Sequence, residues 1–295
     1  MSTEDASARY LDLDRLPAIA QVGLLHESQA EAVAAVQPAL PSIAAAVGAA
    51  VERLRRGGRL VYCAAGTSAR IGVQDGAELL PTFNWPADKV AFVIAGGEKA
   101  LLRAVENAED SAEDGSSQIT QLRVGSDDVV LGIAASGNTP FTVAAVETAR
   151  RQGALTIGIA NNAGSRLLSA SDHPILIETG AEAVAGSTRL KAGTAQKIVL
   201  NLLSTAVMIQ LGRVYRGLMV DMRPTNAKLR QRAEQMVARL TGCDPAIAAD
   251  ALLRAGSDVK LAVLVVQGMS VDDARVLISQ SGGNLRAALD AARGR

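Results

Sequence analysis

Cysteine and histidine are both scarce in this chain of 295 residues. The two cysteines, Cys63 and Cys243, stand far apart in apolar surroundings and lack the paired spacing of a zinc site or a disulfide framework. That usage fits a reducing compartment, so a cytoplasmic location is expected. The two histidines, His26 and His173, form no HExxH pattern, so neither a metal nor a cofactor is expected. Chemistry then falls to carboxylates, hydroxyls, lysine and arginine. Net charge is missing as well: 30 basic residues balance 30 acidic ones. This excludes the electrostatic footprint of a nucleic-acid binder and points to a small ligand. No P-loop GxxxxGK[ST] occurs, and Gly66 lacks the spacing of a dinucleotide fingerprint. The Ala-rich segment 43–51 runs straight into Glu52, Arg53, Arg55 and Arg56. It is well short of the ~20 apolar residues of a membrane span. The polar start, residues 1–10, does not read as a signal peptide. No membrane partner is expected.

What the chain does have is hydrophobic content, 48%, enough for a substantial core in one large domain or a large domain plus a small one. Residues 59–83 are its organising stretch. Leu60, Val61, Tyr62 and Cys63 read as a buried parallel strand, and Gly66-Thr67-Ser68 follows as a turn at the start of a helix. Hydroxyls and free backbone N–H groups there can hold an anion such as a sugar phosphate; equally, Thr67 and Ser68 can simply cap the helix. Further apolar strands are expected at 90–95, 129–134, 155–160 and 174–178, with helical segments between them, including a run from Gly97 through Ala108. The pattern predicts an α/β fold with a five-stranded parallel sheet covered on both faces, its ligand at the carboxyl ends of the strands. The turn Ser136-Gly137-Asn138-Thr139 follows the third strand and falls on the same sheet edge. Thr139-Pro140 also fits a plain helix start.

Residues 1–15 show no clear periodicity and suggest a mobile arm, with LDLDRLP, Leu11 to Pro17, able to dock on another surface. Two helices, interrupted at Pro38 and Pro41, are expected across 19–56. Ser187, Arg189 and Lys191 cluster before a long apolar helix, 198–211, where they meet an anion or serve as a solvated helix start. About three short helices are expected across 244–289. The division read from the sequence is an arm at 1–18, a ligand-binding domain at 19–225 and a small helical domain at 226–295.

Several segments, AAGTSARIGV, DGAELLPTF, VENAED, AASGNTPF and the run over residues 186–222, resemble the N-acetylmuramic acid 6-phosphate etherase family. The resemblance implies the three-layer sugar isomerase (SIS) sandwich, a homodimer, no metal, and a helical tail like a ubiquitin-associated bundle. It also implies an activity: removal of D-lactate from C3 of N-acetylmuramic acid 6-phosphate, leaving N-acetylglucosamine 6-phosphate, in peptidoglycan recycling. Motif matching places Glu78 and Glu109 on the family's two catalytic glutamates. Glu78 is taken as the acid for departing lactate and Glu109 as the base at C2. Glu106, expected one turn before Glu109 on the same helix face, is a candidate sugar contact. Gly66, Thr67, Ser68, Ser136, Gly137, Asn138, Thr139, Ser187 and Lys191 complete the candidate substrate-binding set.

The chain departs from the family's usual GTSGR, SGRTP, SECPPTYG and CNP patterns. Asn138 replaces an arginine, and Ala160-Asn161-Asn162 replaces CNP. Losing a fixed cation at 138 is expected to weaken the grip on phosphate or on the lactyl carboxylate. An unbroken helix from 69 to 78 would put Glu78 ~15 Å from Ser68. Either that helix breaks near Gly72 or Gly76, or Glu78 serves the site of a neighbouring subunit. A non-catalytic sugar-phosphate sensor, such as the glucokinase regulatory protein of the same architecture, and an aldose/ketose isomerase are the competing readings.

Overall fold

A computed structural model describes residues 2–103 and 105–293. The chain groups into two compact units, Met1–Gly76 with Asp88–Ser204, and Ala77–Ala87 with Thr205–Arg295. Five apolar runs form the sheet of the first unit: β1 (Leu60–Ala64), β2 (Val90–Ile94), β3 (Val129–Ala134), β4 (Leu155–Ala160) and β5 (His173–Leu176). All pairings are parallel, in the order β2-β1-β3-β4-β5. The expected strands are present; the fifth begins and ends earlier than the 174–178 read from the sequence.

Among the described residues, the α-helices that begin in this unit are α1 (Ala18–Val36), α2 (Leu40–Arg55), α3 (Gly66–Phe83), α4 (Lys99–Leu102), α5 (Ala112–Gln121), α6 (Pro140–Arg151), α7 (Arg166–Ala170) and α8 (Lys191–Gln210). Alternate strand residues serve opposite faces. Val61, Cys63, Val93 and Val130 join Ile119 of α5, Phe141 and Val146 of α6, and Leu167 of α7 in one buried cluster. On the other face, α3 lies close against Tyr62, Phe92 and Ile133. A Cβ at Gly76 would fall 2.7 Å from the Phe92 ring, and one at Gly72 3.2 Å from Ile133. These two glycines, read from the sequence as possible breaks, are instead where an unbroken helix meets the sheet. Among the described residues, the helical run expected after Gly97 is reduced to α4, because the chain is extended at Arg103, φ −138° and ψ 147°, and Asn107, at φ 59°, keeps the helix from resuming ahead of Ala108; residue 104 lies outside the described residues.

The arm is held rather than mobile. Short 3₁₀ turns occur at Ala8–Tyr10 and Leu13–Arg15, Arg9 pairs with Glu27 and Glu31 of α1, and Thr3 is fully buried. Residues 18–55 and Lys191–Gln210 are each long and apolar enough to cross a bilayer by length and composition. The 43–51 segment judged too short is thus part of a longer helical stretch. Core helices pass the same test: Ala192, Ala195, Val199, Leu200 and Leu203 of α8 are all buried.

At the opposite end of the strands from the ligand edge, Asp128 clips the loops ahead of β1 and β3. It accepts from Arg59 Nη2 at 2.7 Å, from the Arg59 backbone N–H and from the Gly125 N–H, both at 2.9 Å. Burial pushes its carboxyl up, but these bonds outweigh that and hold it below the usual aspartate range. A depressed folded value means the contribution is complete above the unfolded value of about 3.9 and is lost as pH falls through the folded one. Asp128→Asn is therefore expected to cost about 1–3 kcal/mol at neutral pH. In urea unfolding the two proteins should converge as the solution is acidified below the ordinary aspartate range.

The second unit is helical: α9 (Ala227–Thr241), α10 (Pro245–Arg254), α11 (Val259–Val266), α12 (Val271–Gln280) and α13 (Leu285–Arg293). Asn226, Asp244, Asp258 and Ser270 each cap a helix by accepting from an N–H of its first turn. Among the described residues, four α-helices follow residue 244 where about three were expected. α11 is apolar almost throughout, VKLAVLVV, and nearly all of it is buried, so it carries little amphipathic signal. Within α8 the grouping changes after Ser204.

Candidate active site

In this sheet order, successive strands leave β1 in opposite directions, β2 to one side and β3 to the other. The chains leaving the carboxyl ends of β1 and β3 therefore separate and open a crevice between them. A 390 Å³ cavity lies there. Ala65 to Ser68 form one wall, Ile133 to Ser136 with Asn138 to Pro140 another, and Glu109, Asp110, Glu4, Gly186 and Thr188 close it. An adjoining 350 Å³ cavity shares Ala65 to Thr67 and Glu109, and adds Arg70, Glu106 and Asn107.

Gly66 begins α3 with a left-handed φ of 54°, which turns the chain sharply out of β1 and presents the first N–H groups of the helix to the crevice. Thr67 is half-buried there. Ser68 is buried, and its hydroxyl is bonded to Gln196 Oε1 at 2.8 Å; Gln196 Nε2 donates to Asn161 Oδ1, and Asn161 Nδ2 donates to the Ile177 carbonyl. The floor of the crevice is thus a closed polar chain from α3 through α8 to the edge of β5. Asn161, noted only as a departure from the family pattern, belongs to it.

On the β3 side, Thr139 is the N-cap of α6 but makes no side-chain cap bond, so its hydroxyl is not consumed by the helix. Ser136 Oγ accepts from the Asn138 N–H, and Asn138 Oδ1 accepts from the Arg166 N–H at the start of α7. Gly137 does not line the cavity; a Cβ there would fall 2.2 Å from Ser165 Oγ, so its role is close backbone approach at φ 67°. The cavity's charged lining residues are Glu4, Glu109 and Asp110, all acidic. An anion bound there relies on hydroxyls and backbone N–H groups, while Arg70 lines the adjoining cavity. Arg70 is held by the Ala100 and Leu101 carbonyls.

Glu109 sits on the 3₁₀ turn Ala108–Asp110, ahead of α5, whose N-cap Ser111 accepts from the Asp114 N–H. It borders both cavities. Glu106 lies in the preceding turn and lines only the adjoining cavity, so the two glutamates share no α-helical face as the sequence reading expected. Lys191 is elsewhere: its ammonium is buried in a 3.0 Å ion pair with Glu31 of α1. Hydrogen bonds from Lys191 and Arg9 outweigh the effect of burial and hold the Glu31 carboxyl below its ordinary value. The start of α8 is satisfied by Glu182, whose two oxygens accept the Lys191 and Ala192 N–H groups at 2.9 and 2.8 Å. This buried cap occupies the Lys191 and Ala192 N–H groups that an anion at the start of α8 would need. Ser187 is half-buried between two residues that do line the cavity, Gly186 and Thr188.

Glu78 is exposed on α3 and belongs to the part of that helix grouped with the second unit. It is absent from the lining of both cavities. Because α3 is continuous, about three helical turns separate it from Ser68.

Residues 42–150 match the family model of the glucokinase regulatory protein N-terminal SIS domain. N-acetylmuramic acid 6-phosphate etherase from Deinococcus radiodurans is 48% identical over 97% of this chain and 94% of that protein. The Rubrobacter xylanophilus protein of the same description is 48% identical over 99% and 96%. Among solved structures, a phosphoheptose isomerase from Francisella tularensis shares the fold of the sheet domain, with a TM-score of 0.53 and 22% identity over 66% of this chain and all of that one.

Proposed function

The chain belongs to the N-acetylmuramic acid 6-phosphate etherase family, and from that premise we propose how its crevice cleaves the D-lactyl ether. The observation that carries the proposal is the placement of Glu109 between two hydroxyl turns at the point where the strand order reverses. The phosphate of N-acetylmuramic acid 6-phosphate is held by the α3 N–H groups with Thr67, Ser136 and Thr139. In the open-chain aldehyde, the carbonyl at C1 acidifies the C2 proton. Glu109 removes that proton, the electron pair forms the C2–C3 double bond, and the C3–O bond breaks. The departing ether oxygen takes a proton from Glu78, releasing D-lactate. Water then adds at C3 and a proton returns to C2, giving N-acetylglucosamine 6-phosphate. Two carboxyl groups suffice when one is protonated and the other ionised.

Glu78 reaches this chemistry from a second copy of the chain. A homodimer is supported by the family and by the exposed apolar side chains of Ile19, Val22 and Val33 on α1, which a partner would cover. A cytoplasmic location accords with two free cysteines and with a substrate arising from cell-wall recycling.

Incubating the protein with N-acetylmuramic acid 6-phosphate is expected to release D-lactate and N-acetylglucosamine 6-phosphate in equal amounts. Tight binding of the substrate without lactate would support the sensor reading instead. Conversion of an aldose phosphate to a ketose would support an isomerase.

A further inference from the structure

Thr3 and Glu4 precede every regular element, yet they are fixed to the rim of the crevice. The Thr3 N–H donates to Asn162 Oδ1 at 3.1 Å, Asn162 Nδ2 donates to Thr3 Oγ1 at 3.0 Å, and the Gly186 N–H donates to the Thr3 carbonyl at 3.2 Å. Asn162 also reaches the carbonyl of Ala135, next to the Ser136 turn, at 3.4 Å. One buried threonine thus ties the start of the chain to the loop after β4, to the turn after β3 and to the loop ahead of α8. The result is that Glu4, exposed and in no ion pair among the described residues, lines the same cavity as Glu109. Gly186 makes room for it: at φ 73°, a Cβ there would fall 3.0 Å from Glu4 Oε2.

We infer that Glu4 is a substrate-binding residue, its carboxylate accepting a hydrogen bond from a hydroxyl or acetamido N–H of the sugar while the Thr3 anchor holds it in place. This rests on the etherase reading of the crevice. A carboxylate repels phosphate and attracts neutral donors, so Glu4 faces the sugar and the hydroxyl turns keep the phosphate. The orientation of the sugar in the crevice follows from that division of labour. A charge-assisted bond of this kind corresponds to about 10- to 100-fold in affinity.

The test uses the full chain with Glu4→Ala, Glu4→Gln and Thr3→Val. It compares KM and kcat for lactate release, calorimetric affinity for N-acetylglucosamine 6-phosphate and for inorganic phosphate, and melting temperature. Glu4→Ala is expected to raise KM and weaken N-acetylglucosamine 6-phosphate binding by about 10- to 100-fold, with inorganic phosphate affinity and melting temperature unchanged. Glu4→Gln, which keeps an acceptor oxygen, should recover part of the loss, and Thr3→Val should weaken sugar-phosphate binding in the same direction. Glu4→Ala within twofold of the parent in both KM and sugar-phosphate affinity would overturn the inference, as would an equal loss of inorganic phosphate affinity. A parent protein that binds N-acetylglucosamine 6-phosphate but releases no lactate would overturn the etherase reading alone, and the binding comparison would still decide the role of Glu4. A parent that does not bind it overturns both.

Discussion

Glu109→Gln is expected to lower the rate of lactate release by about 10²- to 10⁴-fold while leaving affinity for N-acetylglucosamine 6-phosphate within a few fold. The amide keeps the size and hydrogen-bonding reach of the carboxylate and removes only its capacity to take a proton. Glu109 stands on a 3₁₀ turn fixed on one side by the left-handed Asn107 and on the other by the Ser111 cap, so the substitution has little backbone to disturb. Asp110 is the necessary comparison, because it lines the same cavity from the adjacent position. If Asp110→Asn abolished lactate release and Glu109→Gln did not, the base would have been assigned to the wrong neighbour. Exchange of the C2 hydrogen of N-acetylglucosamine 6-phosphate with deuterated solvent isolates the same step without the leaving group, and Glu109→Gln should suppress it.

The second large effect is recovery rather than loss. Glu78→Ala and Glu109→Gln proteins, each nearly inactive alone, are expected to regain about a quarter of parental activity when unfolded together in equal amounts and refolded. Half of the resulting dimers would pair one of each, and each such dimer would hold one site with an intact Glu109 and an intact partner Glu78. An alternative in which Glu78 acts within its own chain predicts that the mixture stays at the average of the two variants alone. The reason to expect exchange lies in α3: it is continuous past Gly72 and Gly76, and Glu78 is absent from both cavity linings. Partial rescue by exchanging subunits bearing Glu78→Ala with subunits disabled in the Ser136 turn would give the same answer by a different pair.

The architecture was readable in the sequence because parallel strands are written as apolar runs, and the runs of β1, β2 and β3 end in a glycine or hydroxyl turn. Strand ends of that kind put Gly66 to Ser68 and Ser136 to Thr139 on one edge of the sheet. Other parts of the site depend on partners distant in the chain. Glu4 sits in a polar stretch with no periodicity, and nothing near it in sequence signals that Asn162 and Gly186 will hold it. Gln196 and Asn161 are 35 positions apart, and Ser68 lies 128 positions before Gln196, so only the folded chain brings the three into one hydrogen-bonded run. Lys191 resembled an anion ligand because Glu31, its actual partner, lies 160 positions earlier. Gly76 looked like a helix breaker because the ring of Phe92 that demands it belongs to a strand not yet in view.

The thiol of Cys63 lies fully buried in β1, and burial pushes its ionisation far above the range of a free cysteine. Alkylating reagents react with thiolate, so in the folded state this side chain is shielded both by access and by protonation. Cys243 is partly exposed in the helical unit. The two sulfurs therefore give the molecule a pair of internal clocks: modification of Cys243 marks ordinary solvent contact, whereas modification of Cys63 marks the moments when the central sheet itself comes apart.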